Sequence, residues 1–253
     1  MTINETRKIA VAGATGRLGR HVVDVLEERG YEVVPVSRAS GVDVITGDGL
    51  DAALAGVDVI VDVATGPSPD QEEATAFFTT SARNLHEAGQ RAGVARMLVV
   101  SIVGTDRYSG GYGAAKIAHE QAALAGPIPA RILRSTQFHE FVGQLLAWGT
   151  QGEVAYVQRM RTQPIAARAV AETLADMVVE PDGPAVTDVA GPREESMVDL
   201  AGALALRRGL AVKVEGVSGD DADSRLAEDG GLLPGPGATL AGPTFEQWLD
   251  SVA

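Results

Sequence analysis

The fold is decided between residues 8 and 19, which read Lys8-Ile-Ala-Val-Ala-Gly13-Ala-Thr15-Gly16-Arg17-Leu18-Gly19. An apolar run stops at glycine, glycines recur at 13, 16 and 19, and Leu18, Val22, Val25 and Leu26 follow at helical spacing until Gly30. This is a buried strand, a tight turn and an amphipathic helix. A chain turning from strand into helix needs bare backbone at the turn, and the helix N-terminus then presents free N–H groups. A dinucleotide pyrophosphate suits such a turn, held by Gly13, Thr15, Gly16, Arg17, Leu18 and Gly19. Glycines alone say little; the strand before and the helix after make the signal specific.

Outward from the turn, a second strand is expected at Glu32–Ser37, a weaker one at Val42–Ile45, a short helix at Leu50–Ala55 and a nearly all-apolar strand at Val57–Val63. A helix over 71–92, a strand at Met97–Ser101, a helix at Tyr112–Leu124 and a strand at Ala130–Leu133 continue the alternation. Strands alternating with helices predict an α/β fold with a doubly wound, Rossmann-type parallel sheet. Uninterrupted apolar strands suit a sheet covered on both faces. Beyond 135 the pattern loosens, with helices expected at Gln137–Trp148, Ala167–Val179 and Met197–Arg208 and short strands at Val154–Val157 and Thr187–Ala190. The division predicted is a nucleotide-binding core, 1–135, and a smaller C-terminal substrate-side region, 136–253, packed on it as one structural unit. The Gly- and Pro-rich Gly230–Pro243 reads as a surface loop or a lid before a last helix at Phe245–Val252.

The 253 residues, 45% hydrophobic and 22% charged, allow one large domain or a domain with an appendage. With 34 Asp and Glu against 21 Lys and Arg the formal charge is −13, which disfavours nucleic acid and acidic membranes as partners and leaves a small molecule. The absence of cysteine excludes disulfides and thiolate metal sites, and His21, His86, His119 and His139 lack zinc-site spacing, so no metal is expected. The first eight residues lack a signal-peptide apolar stretch and no run is long enough to span a bilayer, so a cytoplasmic protein is expected.

Which dinucleotide is bound is decided at the end of the second strand, Val36-Ser37-Arg38, where no acid waits for a ribose 2′-hydroxyl. The hydroxyl of Ser37 and the guanidinium of Arg38 suit a 2′-phosphate, favouring NADP(H) over NAD(H). Arg17 either shares that phosphate or is a solvated charge. Asp48 has two readings, a contact to the adenine amino group or a cap for the helix at Leu50. Ala64 and Thr65 end the fourth strand and belong beside the cofactor, because ligands of such sheets lie outside the carboxyl ends of the strands.

Tyr112-Gly-Ala-Ala-Lys116 uses one of four tyrosines and one of three lysines, four residues apart and on one helical face. A neighbouring ammonium lowers a phenol's pKa, so Tyr112 can protonate a carbonyl oxygen as hydride arrives, with Lys116 tuning it and holding the nicotinamide ribose. Ser101, eleven residues before Tyr112, can orient the carbonyl or simply bond backbone at its strand end; Thr105 and Ser109 are rivals.

These residues make the chain resemble the atypical short-chain dehydrogenase/reductases with the NmrA-like, NAD(P)H-binding pattern. The resemblance rests on Gly13–Gly19, Val-Ser-Arg at 36–38, Val-Ser-Ile-Val-Gly at 100–104, Tyr112 with Lys116, Ile-Leu-Arg-Ser-Thr-Gln-Phe at 132–138 and, later, Asp188-Val-Ala-Gly-Pro192. It implies a Rossmann fold, a bound nicotinamide nucleotide and a cleft built partly by the C-terminal segment. It also places Gln137, Phe138 and His139 at the substrate pocket, against a plain packing or capping role for His139. Some members reduce quinones or enone-like compounds; others bind the nucleotide only to report redox state. Ser101, Tyr112 and Lys116 together point to an NADPH-dependent reductase of a small carbonyl, quinone or enone, with a redox-sensing regulator as the alternative. A nucleotide-sugar epimerase or dehydratase is weaker, because the region after 135 looks small and the Ser-to-Tyr interval is short.

Overall fold

The computed structural model describes residues 7–180 and 182–252. The leading residues 1–6, most of the stretch read above for a signal sequence, lie outside the described ones. In chain order the elements are β1 (Lys8–Ala12), α1 (Arg17–Glu28), β2 (Glu32–Val36), α2 (Leu50–Ala53), β3 (Val59–Asp62), α3 (Gln71–Ala92), β4 (Arg96–Ile102), α4 (Gly111–Ala125) and β5 (Ala130–Ser135). There follow α5 (His139–Gly149), β6 (Thr150–Gln151), β7 (Val154–Gln158), β8 (Arg161–Thr162), α6 (Ala167–Val179), β9 (Val186–Ala190) and β10 (Glu195–Ser196). The last are α7 (Met197–Arg207), β11 (Lys213–Val217), α8 (Ala222–Glu228), β12 (Thr239–Leu240) and α9 (Phe245–Ser251).

A seven-stranded sheet carries the order β12-β9-β5-β4-β3-β1-β2. β1 pairs in parallel with β2 on one side and β3 on the other, and β3 pairs in parallel with β4. The chain therefore leaves β1 in one direction and returns to its other flank, which opens a crevice at the carboxyl ends of β1 and β3. Helices cover the sheet, so Ile9–Ala12 and Val59–Val61 are almost wholly buried, as their apolar runs require. This is the doubly wound Rossmann-type fold expected.

The weak strand expected at Val42–Ile45 does not form. Asp43 Oδ1 accepts from the N–H groups of Ile45 and Thr46, closing a side-chain turn where a ladder would need extended backbone. β2 is thus the sheet edge, a position its Pro35 suits because proline has no N–H to give a further strand.

The chain divides into two compact units that interleave along the sequence. The first comprises residues up to 101, 110–133 and 171–187; the second comprises 102–109, 134–170 and 188 onward. In the first, Leu50, Leu54, Ile60, Leu85, Met97 and Ile132 form one core, and α3 packs along α4 through Ala74, Phe78 and Ala115. In the second, β11, β7 and β6 form a small sheet, and Val142, Leu146, Val157, Leu200, Leu204 and Phe245 make a core of its own. Part of Gly230–Pro243 is anchored in that unit: Leu232 is fully buried, and β12 pairs with β9. Among the described residues no helix is long and apolar enough to cross a membrane.

Candidate active site

The glycine turn is held by backbone contacts that no side chain could share. Gly13 has φ +82°, and a Cβ there would lie 2.7 Å from Ala64 Cα; its N–H donates to Val36 O (2.9 Å). Gly19 packs closer still, since a Cβ would meet Gly13 O at 2.0 Å. The turn is thereby pinned to the ends of β2 and β3, bringing Gly13–Gly19, Ser37, Arg38, Ala64 and Thr65 to one edge of the sheet.

Thr15, Gly16 and Arg17 are exposed, while the Leu18 side chain enters the core and leaves only its backbone for a ligand. Gly16 is the N-cap of α1; no side chain caps it and no acid occupies the first turn, so the N–H groups there are available to an anion. The cradle fits a pyrophosphate.

Ser37 is a capping residue: its Oγ accepts from Ser40 N (3.3 Å) and its N–H donates to Ser40 Oγ (3.0 Å). Arg38 next to it is exposed. Asp48 does not cap α2, whose N-cap is Gly49 with no side-chain bond. Its carboxylate instead accepts from Thr46 Oγ1 (2.8 Å), so the capping reading falls and the carboxylate is exposed in a loop. A recess of about 270 Å³, lined by Ile45, Gly66, Pro67, Phe77 and Thr80 among others, lies along the same loops.

Tyr112 and Lys116 both stand on α4, as the spacing demands, with Phe78 between them. The Phe78 ring meets Tyr112 edge to face at 5.8 Å, stacks on His119 at 4.6 Å and lies 4.4 Å beneath Lys116 Nζ. Lys116 is buried; its Nζ donates to Val100 O (2.7 Å) and to His119 Nδ1 (3.1 Å). Burial draws its pKa down to about 8, with Asp62 and Glu120 resisting. The expected tuning of the phenol is not observed. Burial pushes Tyr112 above the ordinary tyrosine value, while Lys116 spends its Nζ on Val100 O and His119 Nδ1.

Ser101 follows Val100 on β4, and among the described residues its buried Oγ has no hydrogen-bond partner, against the backbone-bonded reading. Its rivals are engaged: Thr105 Oγ1 donates to Ile102 O, and Ser109 donates from both N and Oγ to Asp223 Oδ1.

The three residues proposed for substrate belong to the second unit. Gln137 Oε1 accepts from Thr162 Oγ1, and Phe138 bridges Ile165 as the N-cap of α5. His139 is fully buried, its Nε2 facing Pro243 O (3.1 Å) and its ring against Phe245 and Trp248. The ring is packed in that core, and its buried Nδ1 has no hydrogen-bond partner among the described residues.

Sequence reading missed three residues of the site: Phe78, His119 and Asp62. Two carried signals. His119 lies three residues after Lys116 on the same helical face, and Asp62 is the lone acid in the apolar run Val59–Val63.

A glycine cradle at a helix N-terminus, at the strand-order reversal of a parallel sheet, defines a Rossmann-type nucleotide-binding protein. Residues 13–126 match the model of the NAD(P)H-binding family. Over 141 residues, 50% of this chain, the sequence is 33% identical to a ceramide reductase of Caulobacter vibrioides; the match spans 44% of that relative. The fold resembles the NADP complex of dTDP-4-dehydrorhamnose reductase from Bacillus anthracis, with TM-score 0.74, 18% identity, and 97% of this chain and 98% of that one covered. It also resembles the Bordetella bronchiseptica enzyme WbmH with NAD+, with TM-score 0.70, 15% identity and 95% of each chain covered.

Proposed function

We propose that the chain is an NADPH-dependent oxidoreductase that reduces a small carbonyl, quinone or enone, with Tyr112 as proton donor. The observation that carries this reading is the tie between α4 and β4: Lys116, one turn after a half-buried Tyr112, bonds Val100 O, and the next residue, Ser101, has a buried Oγ with no hydrogen-bond partner among the described residues. A bound nicotinamide supplies the hydride. The raised pKa of Tyr112 keeps the phenol protonated at neutral pH, as a donor must be, and Ser101 O–H is free to hold the substrate oxygen. Lys116 has three N–H donors, two of which go to Val100 O and His119 Nδ1, and in this reading it also holds the ribose. Ser37, Arg38 and Arg17 receive the 2′-phosphate, Asp48 and Thr65 line the adenosine side, and Gln137 and Phe138 belong to the substrate region. The Caulobacter relative, named a reductase, supports the same class of reaction.

The regulator reading is favoured by one observation, the inward aim of Lys116, which leaves Tyr112 without a neighbouring charge. The two separate on Tyr112→Phe. An enzyme loses at least about 100-fold in NADPH oxidation with an accepted substrate while its NADPH affinity stays within about twofold, since general acid catalysis contributes 10²–10⁴-fold. Unchanged turnover removes Tyr112 from the chemistry, and a wild type that binds NADPH yet reduces nothing in a broad panel of carbonyls, quinones and enones is a sensor.

A further inference from the structure

Behind Lys116 lies a chain of hydrogen bonds that neither the glycine turn nor the Tyr–Lys pair requires. Lys116 Nζ donates to His119 Nδ1 (3.1 Å), His119 Nε2 lies 3.1 Å from Asp62 Oδ2, and Asp62 Oδ1 accepts from Ala64 N (3.0 Å). Asp62, His119 and Lys116 are all buried, at 0%, 1% and 5% exposure. An ammonium offers only N–H, so Nδ1 of His119 must accept and its Nε2–H must donate to the carboxylate, which fixes a neutral imidazole in one tautomer. Burial and the Lys116 charge both lower the pKa of His119, in agreement.

A buried ammonium needs compensating negative charge. Val100 O is a neutral acceptor and the Phe78 ring presents only its face. The anions facing Lys116 are Asp62 on β3 and Glu120 on α4, Asp62 having the larger effect. His86 of α3 feels Asp62 but is lowered by burial and held between Ala123 O and Ile128 N, so it brings no positive charge. Tyr112 brings none either.

We infer that Asp62, acting through His119, is the positioning residue that keeps Lys116 an aimed ammonium at neutral pH. The consequence for turnover rests on the catalytic reading of Lys116; the relay itself does not.

The chain contains three lysines, and Lys8 and Lys213 sit in ion pairs with Glu32 and Glu215. Labelling lysine at ¹³Cε therefore gives three signals, of which the Lys116 signal titrates lowest in the wild type. Asp62→Asn shifts its midpoint down by about one pH unit or more, as loss of a close opposite charge does. His119→Leu shifts it in the same direction. His119→Gln, whose amide can accept from Lys116 and donate to Asp62, restores it. The proposal is overturned by an unmoved midpoint in Asp62→Asn, by His119→Gln behaving like His119→Leu, or by a larger shift in Glu120→Gln than in Asp62→Asn. If Asp62→Asn does not fold, the two His119 variants decide. With an accepted substrate, the alkaline limb of kcat/KM moves by the same interval as the lysine signal. A wild type without turnover defeats the proposed reaction and leaves the relay to be judged on the titration.

Discussion

Arg38 is an exposed guanidinium just beyond the end of β2, beside a serine already committed to capping the following turn. If it holds a 2′-phosphate, its removal costs a charge-assisted hydrogen bond, about 1.5–3 kcal/mol, and only for the nucleotide that carries the phosphate. Arg38→Ala is expected to weaken NADPH by roughly 10- to 100-fold and NADH by less than about threefold in direct titrations; equal losses would refute the assignment. Residues of this kind were legible because their position follows from strand and turn alone. Lys116 was legible from its spacing to Tyr112, but the direction of its Nζ was not. That direction is set by Val100 O and by the His119–Asp62 pair, which come together only when α4 folds over β3 and β4.

At the scale of elements, the first turn of α1 can be tested by adding one carbon. In a helix interior Gly→Ala gains up to about 1 kcal/mol from propensity, and Gly202 on α7 has nothing within 4 Å of where a methyl group would sit, so Gly202→Ala should gain about that much. Gly19→Ala has the same gain but places its carbon 2.0 Å from Gly13 O, a backbone atom of the cradle. The clash wins. Gly19→Ala is expected to cost about 1–3 kcal/mol in denaturant unfolding and to weaken both nucleotides alike; a stability equal to or above the wild type would contradict the packing. The same physics explains which elements were readable. α3 is bracketed by Asp70, which accepts from Glu72 N and Glu73 N, and by left-handed Gly93, so its limits stand in the sequence. β11 and α8 were missed because they are short and half-exposed, with too little apolar periodicity to register. The strand expected at Val42–Ile45 failed for the opposite reason: apolar residues were present, but Asp43 turned the backbone.

The pH dependence of the whole molecule's stability should carry two separate signatures, one from each compact unit. In the second unit, burial lowers His139 to about 4. The unfolded chain therefore takes up a proton near 6.5 that the native ring refuses, and stability present above pH 6.5 is lost as pH falls toward 4. In the first unit Lys116, at about 8, releases a proton that the unfolded lysine keeps until about 10.4, so stability rises with pH from 8 upward. Each amounts to about 2 kcal/mol, over roughly pH 7.5 to 4.5 for His139 and 7.5 to 9.5 for Lys116. The −13 net charge adds a background from many carboxylates, which cancels when a variant is compared with the wild type at each pH. His139→Gln, which keeps a donor for Pro243 O, should flatten the acid loss, and Lys116→Met should flatten the alkaline gain. Both tryptophans, Trp148 and Trp248, lie in the second unit, and Trp248 is 5.5 Å from the His139 ring. Tryptophan fluorescence thus reports the His139 limb directly, whereas far-UV circular dichroism follows both units. If the two units unfold as one, both substitutions move the same transition by either probe. If they unfold apart, Lys116→Met leaves the fluorescence transition in place. Parallel slopes for wild type and His139→Gln between about pH 6.5 and 4.5 would show that the native ring protonates freely, against its burial.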